Sequence, residues 1–334
     1  MRLSVVDVGS NTVRLVIADA EEGVPLPVHT AKWGLRLAER VDAEGRIAEE
    51  TVGRLTAALA AAVVTARRWG AADPLAIATA TVRHAPNRPE VLRAVRTRCG
   101  LQLCLLPGEL EAELTFLSAR RWMGWRAGSL AVFDIGGGSL EVAFGRGRLP
   151  DYVASLPLGA ARLTREFADG QDPPGPRSVQ ALRRKVRHQV RDVAARIRWE
   201  NPRTSAATSR TFQQLARLGG AADGREGPFV ARRLARRDLR DCVDLLATLP
   251  AAERARLPGI SPPRAEQSLA GAVVGHTVMK LTGVRTVTIC PWALREGVLL
   301  RYIEDGADWW SEIVGRSERS AAARAPLRIA TPTL

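Results

Sequence analysis

The feature that most constrains the fold is a repeated motif in which an apolar strand ends in aspartate, an apolar residue and glycine. It occurs as LSVVDVG at residues 3–9 and again as LAVFDIG at residues 130–136. In each copy a polar turn follows, and then a second short apolar segment. A strand, a tight polar turn and a returning strand form a hairpin whose turn presents backbone N–H groups beyond the sheet edge. Two copies predict two related α/β domains that face each other.

Helical and strand patterns alternate between the two copies. Helical patterns cover residues 49–69, 89–98 and 109–123, and strand patterns cover residues 75–79 and 101–105. This alternation is typical of an α/β sheet. We expect a first domain over residues 1–120, a second domain over residues 121–312 and a disordered tail over residues 313–334.

Length and composition favour a folded chain of two domains or of one large domain, because 334 residues with 46% hydrophobic content exceed one small core. Asp7 interrupts the apolar N-terminus too early for a signal peptide or a membrane span. We therefore expect a soluble, cytoplasmic protein with no membrane partner. The four cysteines form no C-x-x-C pair and the four histidines are scattered, so we also expect reduced thiols and no zinc site.

The formal net charge of +14 has two explanations that the sequence leaves open. Clustered basic groups attract anions such as phosphates. However, only three of the 49 basic residues are lysines, and a GC-rich genome produces such an excess of arginine without selection for binding. The helix predicted over residues 178–199 is equally ambiguous, since its basic face is either solvated or a track for an anionic substrate. That face consists of Arg183, Arg184, Lys185, Arg187 and Arg191.

Both hairpin turns carry residues suited to phosphate binding. The first combines a glycine, which permits close backbone approach, with short polar side chains. The second has three successive glycines, so consecutive amides can surround an anion without steric hindrance. The candidate phosphate-binding residues of the two turns are Gly9, Ser10, Asn11, Thr12, Gly136, Gly137, Gly138 and Ser139.

An aspartate ends the strand before each turn, Asp7 in the first hairpin and Asp134 in the second. Such a carboxylate suits a hydrated Mg²⁺ ion that bridges to substrate phosphates, although capping of the turn by the side chain explains the same pattern. Other phosphate and hydrolase chemistries lack their motifs. The sequence has no G-x-x-x-x-G-K-[ST] loop, no G-x-G-x-x-G fingerprint and no G-x-S-x-G nucleophile elbow.

Four further motifs accompany the hairpins, namely ATATVRHAPN at residues 78–87, GELEAEL at residues 108–114, LGAARL at residues 158–163 and LREG at residues 294–297. With these motifs the sequence resembles the exopolyphosphatase and guanosine pentaphosphate phosphohydrolase (Ppx/GppA) family, within the sugar kinase, heat-shock 70 and actin superfamily, over residues 1–303. Residues 207–218 and 289–297 resemble the short actinobacterial members in particular. The resemblance implies two ribonuclease-H-like (actin-like ATPase) domains with the active site in the cleft between them.

The resemblance also implies roles for single residues. Glu111 matches the family's catalytic base, which activates the attacking water. Asp134 and Glu141 match acids that orient this water or bind the metal, and Asp7 takes the equivalent metal position in the first hairpin. Arg83 matches the arginine that grips a substrate phosphate.

The activity that the resemblance implies is metal-dependent hydrolysis of the terminal phosphate of inorganic polyphosphate, with release of orthophosphate. The implied cofactor is Mg²⁺ or Mn²⁺, with K⁺ as a further candidate, and the implied assembly is a homodimer. The sequence ends soon after the catalytic unit and lacks the HD-type helical domain of longer members. We therefore expect a preference for short polyphosphate chains.

Other functions stay open at this point. Hydrolysis of guanosine pentaphosphate (pppGpp), an alarmone of the stringent response, needs the same phosphate contacts. A sensor of polyphosphate, pppGpp or ppGpp would keep the phosphate cradle and lose catalysis; it is favoured by Leu110, which replaces the first acid of the family's usual Glu-Glu pair. An ATP-using kinase needs an adenosine pocket and an acceptor site, for which the sequence has no signature. Specific nucleic-acid binding is not expected, because no stacking surface or known motif accompanies the arginines.

Overall fold

Two β-sheets organise the protein in the computed structural model, which describes residues 1–21, 23–42 and 44–322. The first sheet consists of β1 (Arg2–Val8), β2 (Thr12–Glu21), β3 (Val24–Gly34), β4 (Leu75–Ala78) and β5 (Leu103–Leu105). The second consists of β6 (Leu130–Ile135), β7 (Leu140–Gly145), β8 (Tyr152–Leu156), β9 (Thr204–Ala207), β10 (Arg233–Ala235) and β11 (Thr286–Ile289).

The helices connect and cover the two sheets. They are α1 (Glu49–Arg68), α2 (Ala80–Arg83), α3 (Arg88–Cys99), α4 (Gly108–Met123), α5 (Ala160–Glu166), α6 (Pro176–Glu200), α7 (Ser209–Leu218), α8 (Arg236–Thr248), α9 (Ala251–Arg254), α10 (Ser268–Leu281) and α11 (Leu294–Ala322). Among the described residues, no helix combines the length and the apolar character that crossing a bilayer requires.

The two sheets repeat one topology. The first has the strand order β3-β2-β1-β4-β5, and the second has the order β10-β11-β9-β6-β7-β8. In each, an antiparallel three-stranded meander is followed by a strand that pairs parallel to the first strand of the meander. The repeated sequence motif is therefore a repeated structure, which confirms the predicted pair of ribonuclease-H-like α/β domains.

Strand register sets which side chains of the first sheet reach the site. One face of this sheet packs under α1 and α3, and the other packs against α11. Val5 belongs to the α11 face, and Asp7 does too, because every second side chain of a strand lies on the same face. Arg14 lies directly opposite Asp7, and Lys32 lies directly opposite Arg14. One acid and two cations therefore form a row on one face.

The second sheet brings its acids together in the same way. One of its faces is covered by helices that include α6 and α10, and the other packs against α4. Val132 faces α4, so Asp134, two residues later on β6, faces α4 as well. Glu141 on β7 lies directly opposite Asp134, and Glu111 lies in the first turn of α4. Three acids thus converge where β6 ends.

The last helix, α11, packs against the first sheet, although it follows the second sheet in the sequence. It is interrupted at Gly306 and continues to Ala322. Ile313 is buried in the same cluster as Val5, and the Ser317 hydroxyl accepts a hydrogen bond of 2.9 Å from the Leu105 N–H. This burial overturns two predictions about the C-terminal region.

The prediction of a disordered tail over residues 313–334 is wrong for residues 313–322, which are helical, while residues 323–334 lie outside the described part of the chain. The assignment of residues 294–312 to the second domain is wrong as well, because their apolar side chains pack on the first sheet. Charged and small residues in the sequence obscured an apolar stripe at helical spacing.

A candidate active site between the two sheets

The turns of the two hairpins meet tip to tip. In the first, the Gly9 N–H donates to the Thr12 carbonyl at 3.0 Å, and in the second the Gly136 N–H donates to the Ser139 carbonyl at 2.9 Å. A Cβ atom on Gly137 would lie 2.0 Å from the Ser10 hydroxyl oxygen. Only glycine allows this contact between the two halves of the chain.

A cleft of about 250 Å³ lies beside this contact and is lined by both halves of the molecule. Its wall includes most of the sequence-predicted site residues, namely Asp7, Gly9, Ser10, Asn11, Thr12, Glu111, Asp134, Gly136, Gly137 and Glu141. Arg83, Gly138 and Ser139 are not part of that wall. The structure therefore brings both turns and all four predicted carboxylates to one cleft.

The acids of the second half are held where ionisation is costly. Burial raises the pKa of Asp134 to about 6, although the Thr208 hydroxyl donates to its carboxylate. Burial and the neighbouring charge of Asp134 raise the pKa of Glu141 to about 7, although Ser155 donates to it at 3.0 Å. Near neutral pH Asp134 and Glu141 are therefore partly protonated unless a nearby cation offsets their negative charges.

Glu111 is paired with Arg83. Burial and the charge of Glu141 raise the pKa of Glu111 well above its ordinary value, and the Arg83 guanidinium opposes this effect. The same guanidinium donates to the Glu111 carboxylate and to the Leu106 carbonyl, and the side chains of both ion-pair partners are largely buried. Arg83 thus supports the ionised form of the predicted base, while its contact with substrate stays a prediction.

Asp7 is paired with Arg295, which belongs to the LREG motif at residues 294–297 and for which the sequence predicted no role. The Arg295 guanidinium donates to Asp7 Oδ2 at 3.0 Å. Burial nevertheless raises the pKa of Asp7, and its Oδ1 is buried without a hydrogen-bond partner among the described residues. Asp7 therefore offers one free carboxylate oxygen at the site.

A row of cations that sequence reasoning missed lines the same cleft. Arg14 and Lys32 come from the first sheet, Arg210 begins α7, and Arg264 ends a short 3-10 helix at Pro262–Arg264. Lys32 and Arg210 are exposed, whereas Arg14 and Arg264 are half-buried. The sequence held one usable signal, because Arg14 closes the first hairpin motif; the others come together only in the fold.

These cations repel one another. Burial, together with the charges of Arg210 and Arg14, lowers the pKa of Arg264 to about 10. Burial and the same neighbours, with Arg264, lower the pKa of Lys32. Within the described ranges none of the four forms an ion pair with a carboxylate. Asp7 acts on Arg14 and Asp134 acts on Arg264, but burial and the neighbouring cations still lower the pKa of both arginines. Such an excess of positive charge is suited to binding an anion with several charges.

The residues present fit a hydrated divalent cation, but not a cage made by the protein alone. In the part of the chain that the structure describes, no three His, Cys, Asp or Glu side chains lie close enough together to hold a metal ion. Mg²⁺ usually binds one or two carboxylates and completes its shell with water and substrate phosphates. The unpartnered Asp7 oxygen and the nearby Asp134 carboxylate match that requirement.

The basic face of α6 lies outside the cleft, since none of its residues is on the cleft wall. Several of its cations contact acids, as in the pairs of Arg183 with Asp244 and of Lys185 with Glu166. This arrangement favours the interpretation of α6 as a solvated face.

Comparison with known proteins places the chain among phosphatases. The model of the Ppx/GppA phosphatase family matches residues 16–305. An uncharacterised protein of Streptomyces coelicolor is 70% identical over 333 residues, which cover 99% of each chain. Exopolyphosphatase 1 of Mycobacterium tuberculosis is 44% identical over 310 residues, covering 92% of this chain and 90% of that protein. The crystal structure of the Aquifex aeolicus Ppx/GppA family member superposes with a TM-score of 0.77 at 26% identity, covering 91% and 98% of the two chains.

Proposed function

Since this chain belongs to the Ppx/GppA phosphatase family, we propose that it hydrolyses the terminal phosphate of inorganic polyphosphate and releases orthophosphate. The observation that carries the proposal is the row of cations Arg14, Lys32, Arg210 and Arg264, which lines the same cleft as the predicted acids. A substrate with a negative charge on every phosphate unit matches this row of cations. The similarity to mycobacterial Exopolyphosphatase 1 supports the same substrate.

The size of the cleft supports cleavage at the chain end. Its volume of about 250 Å³ is small, and Glu111 and Glu141 on its wall are buried, whereas Lys32 and Arg210 are exposed. A terminal phosphate can reach the acids while the following phosphates lie along the cations. The preference for short chains, which was predicted from the sequence, is part of the proposal.

In the proposed reaction Glu111 accepts the proton of the attacking water. Arg83 favours the ionised form of this carboxylate and so opposes, in part, the effect of burial and of Glu141 on its pKa. The Gly137 backbone and the polar turn around Ser10 contact the phosphate oxygens, where charge develops as the bond to phosphorus breaks. The cations of the cleft bind the remaining phosphates, which are the leaving group.

We propose Mg²⁺ or Mn²⁺ as the cofactor, held by Asp7 and Asp134 with Glu141 beside them. When bound, such an ion neutralises phosphate oxygens and fixes their orientation. The free Oδ1 of Asp7 and the raised pKa values of Asp134, to about 6, and Glu141, to about 7, support this assignment, because all three indicate a missing positive charge. The K⁺ requirement, the homodimer and the cytoplasmic location stay predictions from the sequence.

Hydrolysis of pppGpp is the second candidate, and one observation favours it. A cavity of about 490 Å³ adjoins the cleft and shares Arg210, Gln213 and Pro291 with it. A nucleoside attached to the phosphates requires space of this kind next to the phosphate site. The two substrates can therefore be separated only by measuring both.

The test is orthophosphate release from tripolyphosphate, long-chain polyphosphate, pppGpp and ATP, each with and without Mg²⁺. Glu111→Gln should abolish release, because the amide cannot accept the proton. Glu109→Gln is the matched control, since Glu109 is an exposed residue of the same helical turn. Release from no substrate by the wild type, or undiminished release by Glu111→Gln, would overturn the proposal.

A further inference from the structure

The segment at residues 158–163 packs directly against the second turn, although the proposed reaction does not use it. Leu158 and Gly159 link β8 to α5, the next four residues form the start of α5, and none of these residues is on the wall of the cleft. The Ala160 N–H donates to the Gly136 carbonyl at 3.0 Å, and the Arg162 N–H donates to the Gly137 carbonyl at 2.9 Å. Two carbonyl groups of the turn therefore point at the start of α5.

These two hydrogen bonds also determine where the amides of the turn point. In a trans peptide unit the C=O and the N–H lie on opposite sides. The Gly136 carbonyl shares its unit with the Gly137 N–H, and the Gly137 carbonyl shares its unit with the Gly138 N–H. Because both carbonyls point at α5, both N–H groups point away from it. Neither N–H donates to a backbone acceptor within the described residues. Gly137 lies on the wall of the cleft, whereas Gly138 does not, so the Gly137 N–H is the one available to an anion there.

Gly159 sets how closely α5 can approach the turn. A Cβ atom there would lie 2.3 Å from the backbone nitrogen of Gly138 and 2.4 Å from the carbonyl carbon of Gly137. The backbone angles of Gly159, φ −72° and ψ 147°, suit any residue, so glycine is required here for space alone. Leu158 and Leu163 are fully buried in the core of the second sheet, which prevents α5 from moving away.

We infer that Gly159 is a positioning residue of the active site. With the N–H groups of Ala160 and Arg162, it holds the turn so that the Gly137 N–H is directed at the phosphates of the substrate. The inference rests on the proposed function, because it concerns the binding of phosphate by that same turn. It assigns a role to the motif at residues 158–163, which contacts no substrate itself.

Two variants test this role by different means. Gly159→Ala introduces the Cβ atom that collides with the turn. Ala160→Pro removes the N–H that donates to the Gly136 carbonyl. The helix should tolerate proline here, because proline suits the first position of a helix and Gly159 already has the backbone conformation preferred before proline. Gly147→Ala is the matched control, because its nearest neighbouring atom would be 3.9 Å from the new Cβ.

Thermal unfolding, kcat and KM for tripolyphosphate are measured for each variant. Calorimetric binding of tripolyphosphate is measured with each change in a Glu111→Gln background, which has no turnover. We expect both variants to remain folded at the assay temperature, with a lower unfolding temperature for Gly159→Ala because of the collision. Both should lose about tenfold or more in kcat/KM and in tripolyphosphate affinity, since amide bonds to phosphate are made before and during the reaction. The control should match the wild type.

The outcomes separate this inference from the proposed function. A wild type that releases no orthophosphate overturns the proposed function, and calorimetry then decides the positioning role alone. A wild type that is active, with both variants equal to it in kcat/KM and in affinity, overturns the positioning role. If Gly159→Ala does not fold, Ala160→Pro gives the decision.

Discussion

Replacing Arg83 with methionine would distinguish its effect on Glu111 from a role in holding substrate. The guanidinium donates to the Glu111 carboxylate and to the Leu106 carbonyl, away from bulk solvent. A hydrogen bond to a charged group contributes about 1.5–3 kcal/mol, and about 1.4 kcal/mol corresponds to tenfold in an ionisation constant. Glu111 should therefore become about 10- to 100-fold harder to ionise. We expect kcat at neutral pH to fall about tenfold or more and to recover partly as the pH rises.

The assay is orthophosphate release from tripolyphosphate, followed from neutral to alkaline pH with kcat and KM separated. Arg93→Met is the matched control, since Arg93 is exposed on α3. In a Glu111→Gln background, which has no turnover, Arg83→Met should leave the calorimetric affinity for tripolyphosphate unchanged, because the carboxylate on which Arg83 acts is already absent. A higher KM with an unchanged kcat and pH profile would refute this reasoning and leave Arg83 as a group that contacts substrate only.

Three further predictions concern stability and reactivity. Ser317→Ala removes the acceptor of the Leu105 N–H and should lower the free energy of unfolding by about 1–3 kcal/mol in denaturant titrations. Ser311→Ala, at an exposed position of the same helix, should cause no such loss. Equal losses in the two variants would contradict the burial of the last helix. Burial raises the pKa of Asp134 to about 6 and of Glu141 to about 7, so the folded chain binds more protons than the unfolded chain between about pH 4 and pH 7. Stability without metal should therefore fall as pH rises through this window, and Mg²⁺ should raise Tm more above it than below; an equal effect at both would count against the metal site. Burial raises the pKa of Cys104 to about 12, so mass spectrometry should find this thiol unalkylated by iodoacetamide until the protein is unfolded.

Local pattern was sufficient for the parts of the site that lie on the hairpins. Asp7 and Asp134 each end a strand before a glycine turn, and the pairing of the strands then fixes the faces on which they lie. The main helices and strands between the two motifs begin and end within two residues of their predicted bounds. These features depend on neighbours in sequence and on the alternation of side chains, both of which a sequence displays directly.

The partners of the acids could not be predicted in this way. The pairing of Arg295 with Asp7 joins residues 288 positions apart, and that of Arg83 with Glu111 depends on the angle at which α4 packs. Strand β3, which carries Lys32, was not anticipated, because prolines and charged residues obscure its alternation. An excess of arginine throughout the sequence also concealed the few that line the cleft.

The packing of α11 on the first sheet has a consequence for how the protein folds during its synthesis. The first strand leaves the ribosome early, but the helix that covers its face and supplies Arg295 is made near the end of synthesis. The N-terminal half therefore has an uncovered apolar face, and an Asp7 without its Arg295 partner, until the rest of the chain has been translated. Contacts of such long range slow folding. A nascent or truncated chain that ends before residue 294 would lack both the cover of its first sheet and the cation that pairs with Asp7 in the cleft.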